Sequence, residues 1–244
     1  MKIRLLGKNL QDIRPLLARF GLEETESDFD VVITHGGDGA LLGAERACPG
    51  VPKLPLRDAA TAPTCEEHSA VRRLEKFVSG KSLLTRLPKV VGITSTGGSV
   101  AGINDVFLHS ASHTSALRYR VRIDGELYAS EVVGDAVGIA SVHGSGAYYR
   151  SITHSVFRVG IGLAFSNSTE SVDHMVLDSA SRIDIEITRG PARLAADNDP
   201  DELPVAEGES VTLSTGSDCA FVWDLADFMC HRCRLLRHPS PTAF

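Results

Sequence analysis

The 244-residue chain holds no apolar run near the roughly 20 residues that cross a bilayer, and its N-terminus lacks a secretory apolar segment. A helical membrane protein and a secreted one are therefore not expected; the chain is expected in the cytoplasm. It lacks a basic stretch and carries a formal charge of −6, which argues against a general nucleic-acid partner. The basic cluster Arg232, Arg234 and Arg237 reads as a solvated helix face with charges placed favourably near the helix end. Five cysteines, an odd number, give no disulfide framework and suit a reducing compartment. Cys230 and Cys233 form a C-x-x-C inside a predicted helix, and Cys65 and His68 are also three apart. Nothing in the sequence ties the two pairs together, so buried thiols are expected, not a zinc site. Both the G-x-G-x-x-G fingerprint and the Walker A lysine motif are missing. No internal repeat or low-complexity segment is evident.

What is present is ordinary globular composition, 43% hydrophobic and 23% charged, with length enough for one large domain or two small ones. Lys2 to Leu6 reads as a strand. Leu10, Ile13, Leu16, Leu17 and Phe20 then follow helical spacing up to Gly21. Asp30 to Thr34 is the next strand, its Val31-Val32-Ile33-Thr34 core a continuous run of β-formers. The order is β-α-β, and at the carboxyl end of the second strand stands His35-Gly36-Gly37-Asp38-Gly39. That position is where open α/β sheets bind ligands. Glycines there let the backbone turn tightly and approach a ligand, and the N–H groups of the following helix favour a phosphate. A carboxylate has no use in a plain anion cradle. Asp38 therefore either faces a hydroxyl to be deprotonated or a Mg²⁺ bridging it to phosphate, or it simply caps the helix; the loop alone leaves these open.

Further on, Val51 to Leu56 reads as a strand weakened by Pro52 and Pro55. Thr64-Cys65-Glu66-Glu67 matches a capping box for a helix running to about Ser79. From Lys89 the pattern turns to strands: Val90–Thr94, Ile103–Leu108, Leu117–Ile123, Glu126–Ser130, Val137–Val142, Val156–Phe165, Ile183–Thr188, Arg193–Ala196 and Ser210–Ser214. Asp124-Gly125 is a hairpin turn, and Arg118, Arg120 and Arg122 alternate on a solvated face. After Ala220–Trp223, a helix from about Asp224 to Leu236 has Leu225, Phe228, Met229 and Leu236 as its inner face. Pro239–Phe244 reads as a frayed tail. The expected fold is α/β plus all-β. Residues 1–100, with 221–244 returning, form an α/β domain carrying the glycine loop, and 101–220 form a β-rich substrate-binding domain.

Three separated stretches then fall into one order. Gly36-Gly37-Asp38-Gly39 with Leu41-Leu42 looks like G-G-D-G-T-L-L. Asn104-Asp105-Val106 is similar to an N-E/D motif at a strand start. Gly134-Asp135 followed by Ser141-Val142-His143-Gly144-Ser145-Gly146-Ala147-Tyr148 looks like a G-D-G stretch leading to T-P-T-G-S-T-A-Y. By these motifs the chain resembles the ATP-dependent NAD kinase family, within the larger superfamily of diacylglycerol and sphingoid-base kinases. The resemblance implies a β-sandwich-like second domain, a cleft between the domains, and transfer of the ATP γ-phosphoryl group to the 2′-hydroxyl of NAD. It implies Asp38 as the general base, with Gly37 and Gly39 as close backbone contacts. Asn104 and Asp105 would bind adenine or ribose groups, and Asp135 the nicotinamide side. Ala147 and Tyr148 would line the adenine and ribose pocket; Gly146 beside them is a further candidate substrate contact, and His143, which the family motif lacks, is either a new substrate contact or a neutral structural residue. It also implies Mg²⁺ with ATP, NAD and ATP as the small-molecule partners, and a homodimer or homotetramer.

The chain departs from that pattern at defined places. Leu54-Pro55-Leu56-Arg57-Asp58-Ala59-Ala60-Thr61 stands where the family has a glycine-rich segment. Ala40 replaces the threonine after G-G-D-G, and Ser141 to Gly146 lack two or three hydroxyls and gain His143. Ser151-Ile152-Thr153-His154 replaces S-A-G-G-P, and Asp197-Asn198 replaces an Asp-Gly. These changes keep two alternatives in view: a non-catalytic nucleotide-binding or regulatory relative, and a kinase acting on a different hydroxyl.

Overall fold

The computed structural model describes residues 1–228 and 230–237. Its contacts divide the chain into two compact units, Met1–Leu87 with Ala220–Phe244, and Pro88–Cys219.

In the first unit β1 (Lys2–Gly7), β2 (Glu23–Glu24), β3 (Val31–Gly36) and β4 (Lys53–Arg57) form a parallel sheet in the order β2-β1-β3-β4. Around it stand α1 (Arg14–Arg19), α2 (Asp38–Ala47) and α3 (Ala70–Val78). Every residue of β3 is buried, which is why its apolar run is continuous and not alternating. Its Ile33 packs with Ile3, Leu5, Leu54, Leu56, Leu74 and Phe77. Burying each such side chain contributes about 1.5–3 kcal/mol. Pro55 sits within β4 because the strand on that strand's other side reaches only Lys53, so little of a ladder is lost. The capping-box reading at Thr64 is wrong by one short turn. Residues Glu66–His68 form a 3₁₀ turn, and α3 starts at Ala70 with Ser69 as its N-cap, whose Oγ accepts from the Arg72 N–H at 3.4 Å.

The second unit is two antiparallel sheets. Its strands are β5 (Leu84–Thr94), which begins in the first unit, β6 (Ser99–Gly102), β7 (Asp105–Ser110), β8 (Leu117–Ile123) and β9 (Glu126–Gly134). They continue with β10 (Ala136–Ala140), β11 (Ile161–Ser166), β12 (Met175–Leu177), β13 (Ile183–Arg189), β14 (Ala192–Ala196), β15 (Leu203–Val205) and β16 (Ser210–Trp223), whose end lies in the first unit. One sheet has the order β12-β11-β10-β7-β14-β15, and the other joins β16, β13, β8 and β9. Val106, Leu108, Ile139 and Leu163 from the first sheet and Tyr119, Val121, Ile185 and Leu213 from the second share one buried core. The hairpin at Asp124-Gly125 has positive φ at both residues, 51° and 87°, as a tight primed turn requires. Arg118 and Arg120 pair with Glu131 and Glu186 on the solvated face.

The Val156–Phe165 stretch is not one strand. A helix, α4 (Tyr148–Thr153), precedes it, and β11 starts only at Ile161, after Gly160 at φ 74°. The closing helix is also two pieces, α5 (Leu225–Phe228) and α6 (His231–Arg237). Phe228 is buried as expected, whereas Leu236 is 49% exposed; Met229 and the Pro239–Phe244 tail lie outside the described residues. Asp224 turns the chain into α5 by accepting from Ser82 Oγ (2.6 Å) and the Leu83 N–H (2.9 Å) and pairing with Lys76. Among the described residues no helix is long and apolar enough to cross a membrane.

Candidate functional site

The glycine loop closes β3 and opens α2. Gly36 has φ 148°, a conformation side chains rarely adopt, and Gly37 is the N-cap in an extended conformation with no side-chain cap bond. Asp38 is thus the first helical residue and not the cap, so the capping reading fails. Its charge suits the helix N-terminus, and its side chain remains 55% exposed.

Asp38 Oδ1 meets the Arg57 guanidinium at 3.1 Å. Arg57 ends β4, within the segment where the glycine-rich stretch is missing. Its side chain is buried, donates to the Phe228 carbonyl at 3.3 Å, and lies 3.8 Å over the Phe228 ring. A Cβ on Gly37 would come within 3.7 Å of the same guanidinium, so the loop is also packed against it. Gly39 follows Asp38 in the first turn of α2. Arg57 was visible in the sequence only as part of a departure; its role depends on a long-range contact with the C-terminal segment. Next to it, Asp58 accepts from Asn9 (2.8 Å), the Ala60 N–H and Thr61 Oγ1, and despite its desolvation these bonds hold its carboxyl below the ordinary range.

The second unit gathers another group. The backbone N–H groups of Ile103, Asn104 and Asp105 donate to the Asp197 carboxylate at 2.8, 2.7 and 3.2 Å. The Ser141 N–H donates to the Asn104 carbonyl at 2.8 Å, and Ser141 Oγ to the Ile103 carbonyl at 2.6 Å. Gly144 is required in that arrangement, since a Cβ there would lie 2.0 Å from the Asn104 oxygen. Asn104, Asp105, Ser141 and Gly144 are therefore held as one knot, with Asp197 as its anchor. Asp197 was noticed in the sequence only as part of a changed Asp-Gly. Burial, helped by the facing Asp197 charge, pushes the Asp105 carboxyl up to about 7. Burial also raises Asp197, against the pull of its three N–H partners.

His143 is half-buried and leads into the 3₁₀ turn Gly144–Gly146 without capping it through its side chain. Ser145 Oγ donates to the Phe157 carbonyl, a structural role. Gly146 and Ala147 line an open cleft of about 440 Å³ with Arg150, Ser151 and His154. Tyr148 packs edge-on against Phe107, with centroids 4.7 Å apart, and lies 5.7 Å from the His109 ring. His109 in turn borders a second cleft of about 490 Å³ that contains Asp135, Arg193 and Glu202. Asp135 accepts from Asn167 Nδ2 at 2.8 Å, and burial holds the His109 imidazole below its usual pKa. No motif pointed to His109, Arg193 or Arg150; the folded sheet brings His109 and Arg193 beside Asp135, and the first turn of α4 sets Arg150 next to Ala147. The described residues gather no group of three carboxylates at the Asp38 loop that would form an all-protein Mg²⁺ cage.

One expectation from the cysteines is overturned. Cys65, His68, Cys230 and Cys233, treated above as two unrelated pairs, converge so that all four donor atoms lie within 4.8 Å of one another.

No protein-family model matches the chain. It is 31% identical to an NAD kinase of Methylococcus capsulatus over 143 residues, 55% of this chain and 49% of that protein. It is 28% identical to an NAD kinase of Clostridium kluyveri over 69% of this chain and 64% of that protein. With an NAD kinase of Gemmatimonas aurantiaca it shares 26% over 81% and 70%. The matches thus span about half to two thirds of the curated relatives' length. Among solved structures, an NAD kinase from Archaeoglobus fulgidus in complex with ATP superposes with a TM-score of 0.76 at 18% identity, covering 97% of this chain and 99% of that one. Yeast NADH kinase complexed with NADH superposes with a TM-score of 0.80 at 14% identity, covering 100% and 89%. At those identities the superpositions establish the fold.

Proposed function

We propose that the chain, a divergent relative of the NAD kinases it matches, is a phosphotransferase converting ATP and NAD to ADP and NADP. The observation that carries this is Asp38, a carboxylate on a glycine loop at a helix N-terminus, spared from capping and left exposed. In the proposed reaction the NAD 2′-hydroxyl gives its proton to Asp38 Oδ as its oxygen bonds to the γ-phosphorus. The bond to the ADP oxygen breaks, and ADP leaves with that electron pair. Arg57 holds the Asp38 carboxylate in orientation and keeps a positive charge beside the loop. The N–H groups at the start of α2, Gly39 among them, face the transferring phosphates. Asn104 and Asp105 bind the adenosine part, Ala147 and Tyr148 line its pocket with His143 and Gly146 at the rim, and Asp135 meets the nicotinamide side. Mg²⁺ brought in with ATP would be held chiefly by the phosphates, with at most Asp38 from the loop, and would supply charge neutralisation for the transferring group. The same proposal has the protein act in the cytoplasm as a homodimer or homotetramer, which sedimentation of the purified chain checks.

The test is NADP formation from ATP, Mg²⁺ and millimolar NAD, with Asp38→Asn as control. A wild-type rate no higher than the control's sinks the phosphotransferase reading. A second reading, a nucleotide-binding relative that does not turn over, draws on one observation: Asp38 Oδ1 is already engaged by Arg57. Thermal shifts with NAD, NADP and ATP in the absence of turnover are its signature.

A further inference from the structure

We propose that Cys65, His68, Cys230 and Cys233 form a structural zinc site that fastens the C-terminal segment to the first unit. Two pairs, each with two residues between its members, come from segments far apart in sequence. Cys65 precedes the 3₁₀ turn before α3, and His68 is its last residue. Cys230 lies at the break between α5 and α6, and Cys233 within α6. Three of the donor atoms stand near tetrahedral separations, and all four lie within 4.8 Å of one another. Cys65 Sγ is 3.6 Å from Cys233 Sγ and 3.1 Å from His68 Nδ1, and Cys233 Sγ is 3.8 Å from His68 Nδ1. A zinc ion with Zn–S near 2.3 Å and Zn–N near 2.0 Å requires edges of about 3.5–3.8 Å. Small adjustments within one cluster therefore complete the site. A disulfide between Cys65 and Cys233 would need those sulfurs to close to about 2.05 Å and would leave His68 and Cys230 without a role.

The surroundings fit a metal ligand set. His68 presents Nδ1 to the sulfurs while Nε2 faces Asp227 Oδ1 at 3.7 Å, and Lys76 holds Asp227 at 2.8 Å. A carboxylate behind a ligating imidazole fixes its tautomer and orientation, as outer partners of zinc histidines do. Three thiolates and one imidazole in a tetrahedron select zinc over the oxygen-seeking Mg²⁺ or Ca²⁺. Four protein ligands leave no open position, so the role is structural and not catalytic. On binding, the three thiols release three protons and the site carries a net charge of −1.

The position gives the metal a consequence. Phe228, two residues before Cys230, is the ring and carbonyl against which Arg57 is held, and Arg57 holds Asp38. Zinc at the cluster would fix that segment and, through it, the Asp38–Arg57 pair. The zinc proposal itself does not depend on the phosphotransferase reading.

The experiment is metal analysis of the full chain, purified under mildly reducing conditions without chelator, followed by Co²⁺ replacement. The expected result is stoichiometric zinc, a visible-region cobalt spectrum of tetrahedral thiolate type, and a lower melting temperature after zinc removal. Cys65→Ser with Cys230→Ser should lose the zinc, and Cys219→Ser, outside the cluster, should keep it. His68→Cys, which preserves four ligands, should keep zinc and shift the cobalt bands, separating ligation from mere folding. Wild-type protein that takes up neither zinc nor Co²⁺ overturns the proposal. So does zinc retained by the double serine variant, or a Cys65–Cys233 disulfide that persists in protein purified under those mildly reducing conditions.

Discussion

Asp105 offers a prediction whose size follows from its surroundings. Its carboxyl is 8% exposed, lies close to Asp197, and is pushed up to about 7. In the unfolded chain the same group titrates near 3.9, so the difference is roughly three units, and each unit corresponds to about 1.4 kcal/mol. Between those two values the folded state binds the proton more tightly than the unfolded state. Stability from this group is therefore complete below about pH 4 and falls as pH rises towards 7, by about 4 kcal/mol in all. Asp105→Asn removes the titration while keeping the shape. Urea unfolding of both proteins at about pH 4 and pH 8 should show the variant gaining on wild type by several kcal/mol across that range. It should also keep its fold while weakening NAD-induced stabilisation, if Asp105 is retained for binding at the expense of stability. Parallel stability profiles for the two proteins would refute the reasoning, because they would mean that burial is not what raises Asp105.

Three further outcomes follow from packing and charge. Gly144→Ala should destabilise by about 3 kcal/mol or more in denaturant melts, since the new Cβ meets Asn104 backbone at 2.0 Å and backbone gives little. Lys53→Met should cost about 3–5 kcal/mol by leaving the Glu45 carboxylate buried without its ammonium partner, and adding Glu45→Leu should recover much of that loss. Burial pulls Asp224 upward, but Ser82, Leu83 and Lys76 outweigh it and hold its carboxyl below the ordinary range. Its contribution is present above about pH 4 and disappears as pH falls through its folded value, a loss that Asp224→Asn should abolish in acid unfolding.

How much of this could be read from the sequence depended on the range of the interactions. The Val31–Thr34 strand, the glycine loop and the Asp124-Gly125 hairpin are written in adjacent residues, and they stand where their local chemistry puts them. Thr64 to Glu67 had capping-box chemistry as well, yet Ser69 caps α3, because Cys65 and His68 are committed to the turn that faces Cys233. The run from Val156 to Phe165 looked like one strand from its β-formers, but its residues up to Gly160 form a loop after α4, and only Ile161 onward is strand. What spacing could not reveal were partners from distant segments. Asp197 anchors the Asn104 turn, Phe228 holds Arg57, and the Cys65/His68 pair meets the Cys230/Cys233 pair from the C-terminal segment. In each case one partner looked like a departure or an isolated oddity until the fold supplied the other.

The most direct test of the central claim follows the label from [γ-³²P]ATP into NADP with wild-type protein and with Asp38→Asn. The proposed chemistry predicts phosphorylation of the NAD 2′-hydroxyl by the wild type and a loss of about 10²–10⁴-fold on removing the base. Equal labelling by both proteins, or none by either, would contradict it.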